Sequence, residues 1–87
     1  MSSMHLIVST PRGNLFDGSA EGLFLRGCTG DLAVLPGHIP FVTSVQSGVC
    51  RIRLEDGSEK EGETDGGLLS VSKEAVTLIS GSFRFLG

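Results

Sequence analysis

Apolar residues recur at every second position in several short segments of the chain. In "VCRIRLEDG", Cys50, Ile52 and Leu54 share one face while Arg51 and Arg53 share the other. That alternation predicts a half-buried strand, ended by a turn at Asp56-Gly57. "LLSVSKEAVTLISG" predicts two strands: Leu69 and Val71 point inward, Lys73-Glu74 turn the chain, and Val76 and Leu78 point inward again. "FRFLG" sets Phe83 and Phe85 on one face. Upstream, "HLIVSTPRGNLFDG" reads as a strand, a Pro-Arg-Gly-Asn turn and a second strand, and "AEGLFLRG" follows. No window sets apolar residues convincingly at i, i+3, i+4 and i+7, the helical repeat. The 13 glycines also work against helices. The longest run without Gly or Pro, Leu68 to Ser80, carries Val71, Val76, Thr77 and Ile79, whose β-branched side chains suit strands. The pattern therefore predicts an all-β fold, an antiparallel sandwich or barrel, with no helix longer than about two turns.

Composition narrows this to one domain over residues 1–87. A chain this short buries about 60–65% of the surface its unfolded form exposes. With five Phe and neither Trp nor Tyr, the core must come from Leu, Val, Ile and Phe. No stretch approaches the roughly 18 apolar residues of a membrane span. "MSSMHLIVSTPRG" lacks the basic and apolar regions of a signal peptide. The net charge of -3 and pI near 5.2 argue against nonspecific nucleic-acid binding. Cys28 and Cys50, without a secretory signal, are expected as reduced thiols.

Candidate chemistry is sparse. There is no GxSxG, HExxH, Walker-type loop or CxxC. His5, His38, Cys28 and Cys50 fit no metal-ligand spacing, so neither a metal nor a cofactor is expected. "LEDGSEKEGETDG" is rich in carboxylates, but it lies across a predicted hairpin and does not match a calcium loop. Alternating Glu59, Glu61 and Glu63 instead predict a charged face in water, which also discourages edge pairing.

The segment "GDLAVLPGHIPFVTSVQSG" stands out. Gly30-Asp31 suits a turn before the apolar run Leu32, Ala33, Val34 and Leu35. Pro36-Gly37 fits a type II turn, with Pro setting φ and Gly supplying φ > 0. Pro40 lacks an N–H and belongs at an edge or strand end. The result is a stiff, partly apolar surface displaying His38. Such surfaces favour docking, because little entropy is lost on binding. A surface turn histidine and a catalytic histidine paired with a carboxylate are the other readings of His38.

That segment, with "GGLLSVSKEAVTLISGSF", resembles the epsilon subunit of the rotary ATP synthase (delta in mitochondria). The markers are the Gly-acidic-apolar run, Leu-Pro-Gly-His followed by Pro, and the Gly66-Gly67 pair before an apolar strand. The resemblance implies a two-sheet sandwich of about ten short strands followed by a two-helix hairpin. This chain stops at Gly87, where the resemblance would place the helices, so ATPase inhibition and ATP binding by them are not expected of it. "KEGETDGG" is also more acidic than the family pattern, which sets an apolar strand residue before the glycine pair. By resemblance the domain is a non-catalytic, central-stalk part of a proton- or sodium-translocating ATP synthase. It would link the gamma subunit to the c-subunit ring, peripherally at the cytoplasmic face of the bacterial inner membrane, without inserting into it. A freestanding protein-binding module is the alternative. The resemblance assigns the loop Thr29, Gly30, Asp31 and Leu32 to the c-ring, with Asp31 facing a basic residue. It assigns His38, Ile39, Phe41 and Thr43, with Ser9 and Thr10 nearby, to gamma. Ile39 and Phe41 are equally readable as core.

Overall fold

The computed structural model describes residues 3–27, 30–37 and 39–86. The expected loop residue Thr29, the expected docking residue His38, and Cys28 lie outside them. Ten strands follow one another: β1 (Met4–Thr10), β2 (Gly13–Ala20), β3 (Gly22–Gly27), β4 (Gly30–Val34) and β5 (Phe41–Val45), then β6 (Gly48–Arg53), β7 (Glu59–Thr64), β8 (Gly67–Val71), β9 (Val76–Ser80) and β10 (Phe83–Leu86). No helix occurs among the described residues. The strands fall where period-2 alternation meets turn residues, as expected.

One hydrogen-bonded sheet runs in the order β10-β7-β6-β3-β5-β8-β9-β1-β2, with β4 on the other edge of β3. Between β3 and β5 the pairing shrinks to Gly27 opposite Val45. The sheet folds over at that junction into two halves, β4-β3-β6-β7-β10 and β5-β8-β9-β1-β2. All pairs are antiparallel except β1 with β9, which are parallel. Leu6, Val8, Leu23, Val34, Ile52, Leu69 and Leu78 are fully buried between the halves, with Cys50, Val76 and Phe83 beside them. Ile52 is 1% exposed while Arg51 and Arg53 face water, as the alternation predicts. Burying a side chain such as Ile52 stabilises by about 1.5–3 kcal/mol.

The registers sort the connections into two ends. One end gathers the Pro11-Arg12 turn, the paired Gly27 and Gly30 and Gln46-Ser47, with Asp65-Gly66 and Gly81-Ser82. The opposite end gathers residues 35–37 and 39–40, the β6–β7 turn and the β8–β9 turn. At the first end the chain passes from one half to the other three times, at β5–β6, β7–β8 and β9–β10. The Gly66-Gly67 pair follows from this. A Cβ on Gly67 would lie 2.0 Å from the Ile79 carbonyl oxygen, so no side chain fits there.

Thr64, at the end of β7, points inward and is 3% exposed. Its hydroxyl is satisfied there by the equally buried Ser80, 2.7 Å away. The polar pair keeps the strand in register.

Candidate functional site

The two outer faces differ in chemistry. On β5, Phe41, Thr43 and Val45 point inward and Val42 and Ser44 outward. Registers then align Val42, Ser70, Thr77 and Ile7 in one outer row, and Ser44, Leu68, Ile79 and Ser9 in the next. Neither row carries a charge across β5, β8, β9 and β1; the first charge met is Asp17, on the edge strand β2. Val42 is 63% exposed, Ile79 48% and Leu68 42%. A contiguous uncharged patch with large apolar side chains in water marks an interaction surface more often than chance.

The other outer face is charged. Arg51 and Arg53 lean over the Phe24 ring, 5.8 and 4.9 Å from its centroid. Arg53 Nε also stands 3.6 Å from Glu59 Oε2, and Arg84 lies 3.2 Å from Glu63 Oε1. Glu59, Glu61 and Glu63 all face water, as their alternation predicts. Exposed pairs of this kind each contribute about 0–1 kcal/mol, so this ladder serves solubility more than stability. Asp56 does not build a calcium loop. It accepts a hydrogen bond from the Ser58 N–H at 2.9 Å and closes the β6–β7 turn. The Ser58 hydroxyl bonds the same carboxylate, and together they hold its pKa below the usual value.

The expected contact residues separate. Gly30, Asp31 and Leu32 form the start of β4 rather than a loop. Gly30 and Asp31 are exposed, but Leu32 lies opposite Leu25 and packs against the core. Ile39, 79% exposed, lies in the connection at the opposite end. Phe41 packs against the core, and Thr43 shares its inward side. Ser9 and Thr10 lie at the Asp31 end, remote from Ile39 along the strands. The structure joins Ser9 to Val42, Ser44, Leu68 and Ile79 instead. Counting alternation outward from buried Val45 would have found Val42 and Ser44. Leu68 and Ile79 needed the cross-strand registers.

Beside Ile39 a cleft of about 460 Å³ opens between Leu35, Pro36, Gly37 and Pro40 and the β8–β9 turn, with Met4, Lys73 and Glu74 on its walls. Among the described residues no three His, Cys, Asp or Glu side chains are placed to hold a metal. Cys50 is buried, and desolvation pushes its thiol up to about 11. Among the described residues no helix is long and apolar enough to cross a membrane.

Residues 3–84 match the family described as ATP synthase, Delta/Epsilon chain, beta-sandwich domain. Over 80 residues the chain is 36% identical to the ATP synthase epsilon chain of an Exiguobacterium species, covering 92% of this chain and 59% of that one. It is 35% identical to the epsilon chain of Acinetobacter baylyi, with 92% and 58% coverage. The chain thus spans under two thirds of the length of these relatives. A chain in the cryo-EM structure of the Euglena gracilis mitochondrial ATP synthase (OSCP/F1/c-ring) superposes with a TM-score of 0.91. The match is at 17% identity and covers 98% of this chain and 54% of that one. One in the central stalk/c-ring structure from Tetrahymena thermophila gives 0.78 at 12% identity, covering 93% and 65%. At such identities the two structures speak for the fold.

Proposed function

The chain belongs to the ATP synthase delta/epsilon β-sandwich family, and from that premise we propose that it is a central-stalk domain linking the gamma subunit to the c-ring. In this reading it works peripherally at the cytoplasmic face of the bacterial inner membrane. It contributes no catalytic group, and it couples ion flow, of protons or sodium, to ATP synthesis by transmitting torque. The observation that carries the reading is the contrast between two surfaces on one rigid body. The uncharged outer face of β5-β8-β9-β1 suits a dry, permanent contact, and gamma is assigned to it, with Ser9, Val42, Leu68 and Ile79 at its centre. The Gly30-Asp31 end is polar and charged, and the c-ring is assigned there. Ile39 extends the gamma contact at the far end. Leu32, Phe41 and Thr43 serve from inside, holding the strands that carry these surfaces. Close-packed sheets deform little, which suits a part that must pass torque.

The test is binding of three variants to isolated gamma and to c-ring-containing membranes. Val42→Lys and Ile79→Lys each place a charge in the apolar face and are expected to weaken gamma binding by about tenfold or more. Asp31→Lys is expected to leave gamma binding unchanged. Gamma binding at wild-type strength by both apolar-face variants would overturn the assignment.

A further inference from the structure

Arg26 and Asp31 stand directly opposite each other across the β3–β4 hairpin. Both side chains are exposed. Neither takes part in the ion pairs formed among the described residues, which join His5 to Asp17, Arg53 to Glu59 and Arg84 to Glu63. The next row of the same face runs Ala33, Phe24, Arg51 and Glu61. Between the two rows lies a shallow depression of about 600 Å³ with Val49 and Ala33 in it. Arg26 and Arg51 border it against Asp31 and Glu61, so its charges sum to zero.

This arrangement changes what the hairpin end can recognise. Side chains directly opposite on an antiparallel pair have Cβ atoms about 5 Å apart. A lone basic group approaching Asp31 therefore meets Arg26 at nearly the same distance, and the repulsion cancels most of the attraction. A partner that offers an acid to Arg26 and a base to Asp31 gains from both. Complementary charge pairs of this kind also fix register, because the reversed arrangement is repelled twice.

We propose that Arg26 is a second recognition residue of the ring-facing end, and that Arg26 and Asp31 together read a c-ring segment presenting one acidic and one basic side chain about 5 Å apart. The inference rests on the assignment of this end to the c-ring. Arg26 is then specificity-determining, since it rejects a surface that is merely basic.

The test is binding of the chain, in complex with gamma, to liposomes carrying the c-ring as their sole protein, at low and at high salt. Asp31→Lys and Arg26→Glu are each expected to weaken binding about three- to tenfold at low salt, and Arg26→Gln about half as far on a logarithmic scale. The double exchange Arg26→Glu/Asp31→Lys keeps an opposite-charge pair on the hairpin but reverses it, so it is expected to stay weak. The differences shrink at high salt, because the Debye length falls to about 3 Å at 1 M. Unchanged melting temperature and unchanged gamma affinity confirm that each variant folds. If Asp31→Lys weakens binding while Arg26→Glu and Arg26→Gln leave it unchanged or tighten it, the partner reads the acid alone. The proposal then falls and the c-ring assignment stands. If no variant changes binding to the ring, the assignment and the proposal both fall.

Discussion

Thr64 Oγ1 lies 2.7 Å from Ser80 Oγ, joining two of the points at which the chain passes between the halves of the sandwich, β7–β8 and β9–β10. Around them the Gly66 N–H donates to Thr64 Oγ1 at 3.0 Å, the Ser82 N–H to Asp65 Oδ1 at 3.1 Å, and the Asp65 N–H to the Ser82 carbonyl at 3.1 Å. Ser80 Oγ stands 3.1 Å from the Asp65 carboxylate. Each crossing thus satisfies the backbone of the other. A half-satisfied buried network is costly, so Thr64→Val, which removes the acceptor of Gly66 N–H, is expected to cost about 1–3 kcal/mol. With Ser80→Ala it should show a coupling of about 0.5–3 kcal/mol in a double-mutant cycle. Urea denaturation of the four proteins measures it, and simple additivity would mean the two crossings are independent.

Ile52 and Arg51 test the strand register. Ile52 is 1% exposed and sits in the core, opposite Leu23. Ile52→Ala is expected to cost roughly 2–4 kcal/mol, the usual penalty for a large-to-small change in a packed core. Arg51 faces water, and Arg51→Ala should cost well under ~1 kcal/mol. Equal losses in chemical denaturation would mean a slip of one residue, which exchanges the two faces.

Glycines at two positions should respond differently to a methyl group. Gly67→Ala drives a Cβ to 2.0 Å from the Ile79 carbonyl oxygen, a backbone atom that cannot swing aside. It is expected to cost about 3 kcal/mol or more, or to prevent folding. Gly57 has φ +89° in the β6–β7 turn with no heavy atom within 4 Å of an added Cβ. Gly57→Ala meets only left-handed strain, about 1–2 kcal/mol. Thermal melts of both variants separate steric from conformational cost.

Cys50 makes a reactivity and a pH prediction. Burial desolvates its thiol and pushes the pKa from 9.0 to about 11. In a Cys28→Ser background it should resist a thiol reagent at pH 8 in the native state and react fully in guanidinium, because the thiolate is the nucleophile. The sign for stability follows: between pH 9 and 11 the unfolded thiol loses its proton while the folded one keeps it. The folded state binds more protons there, so this group lowers stability as pH rises through that window. Rapid native labelling at pH 8 would contradict the buried placement.

The strands and the inward set Cys50, Ile52, Leu69, Val71, Val76 and Leu78 were legible in the sequence. Strand period and turn chemistry are local, and local rules suffice to place them. The glycine pair and the Leu-Pro-Gly-His run were legible too, through family resemblance. Their physical reason was not: the obstacle to a side chain at Gly67 is a carbonyl from Ile79, twelve residues on.

Tertiary structure decided which surfaces the strands share. Asp31 reads alone in the sequence, but antiparallel register sets Arg26 directly across from it and cancels its charge at a distance. Ser9 was grouped with Ile39, yet the strand directions put them at opposite ends, and the sheet unites Ser9 with Ile79, Leu68 and Ser44. Thr64 can occupy an inward strand position because the fold sets the Ser80 hydroxyl beside it. Alternation along a strand depends only on neighbours in sequence, so the residues themselves determined it. Pairing between strands depends on which segments meet when the sheet folds over at Gly27 and Val45, and only the closed sandwich fixes that.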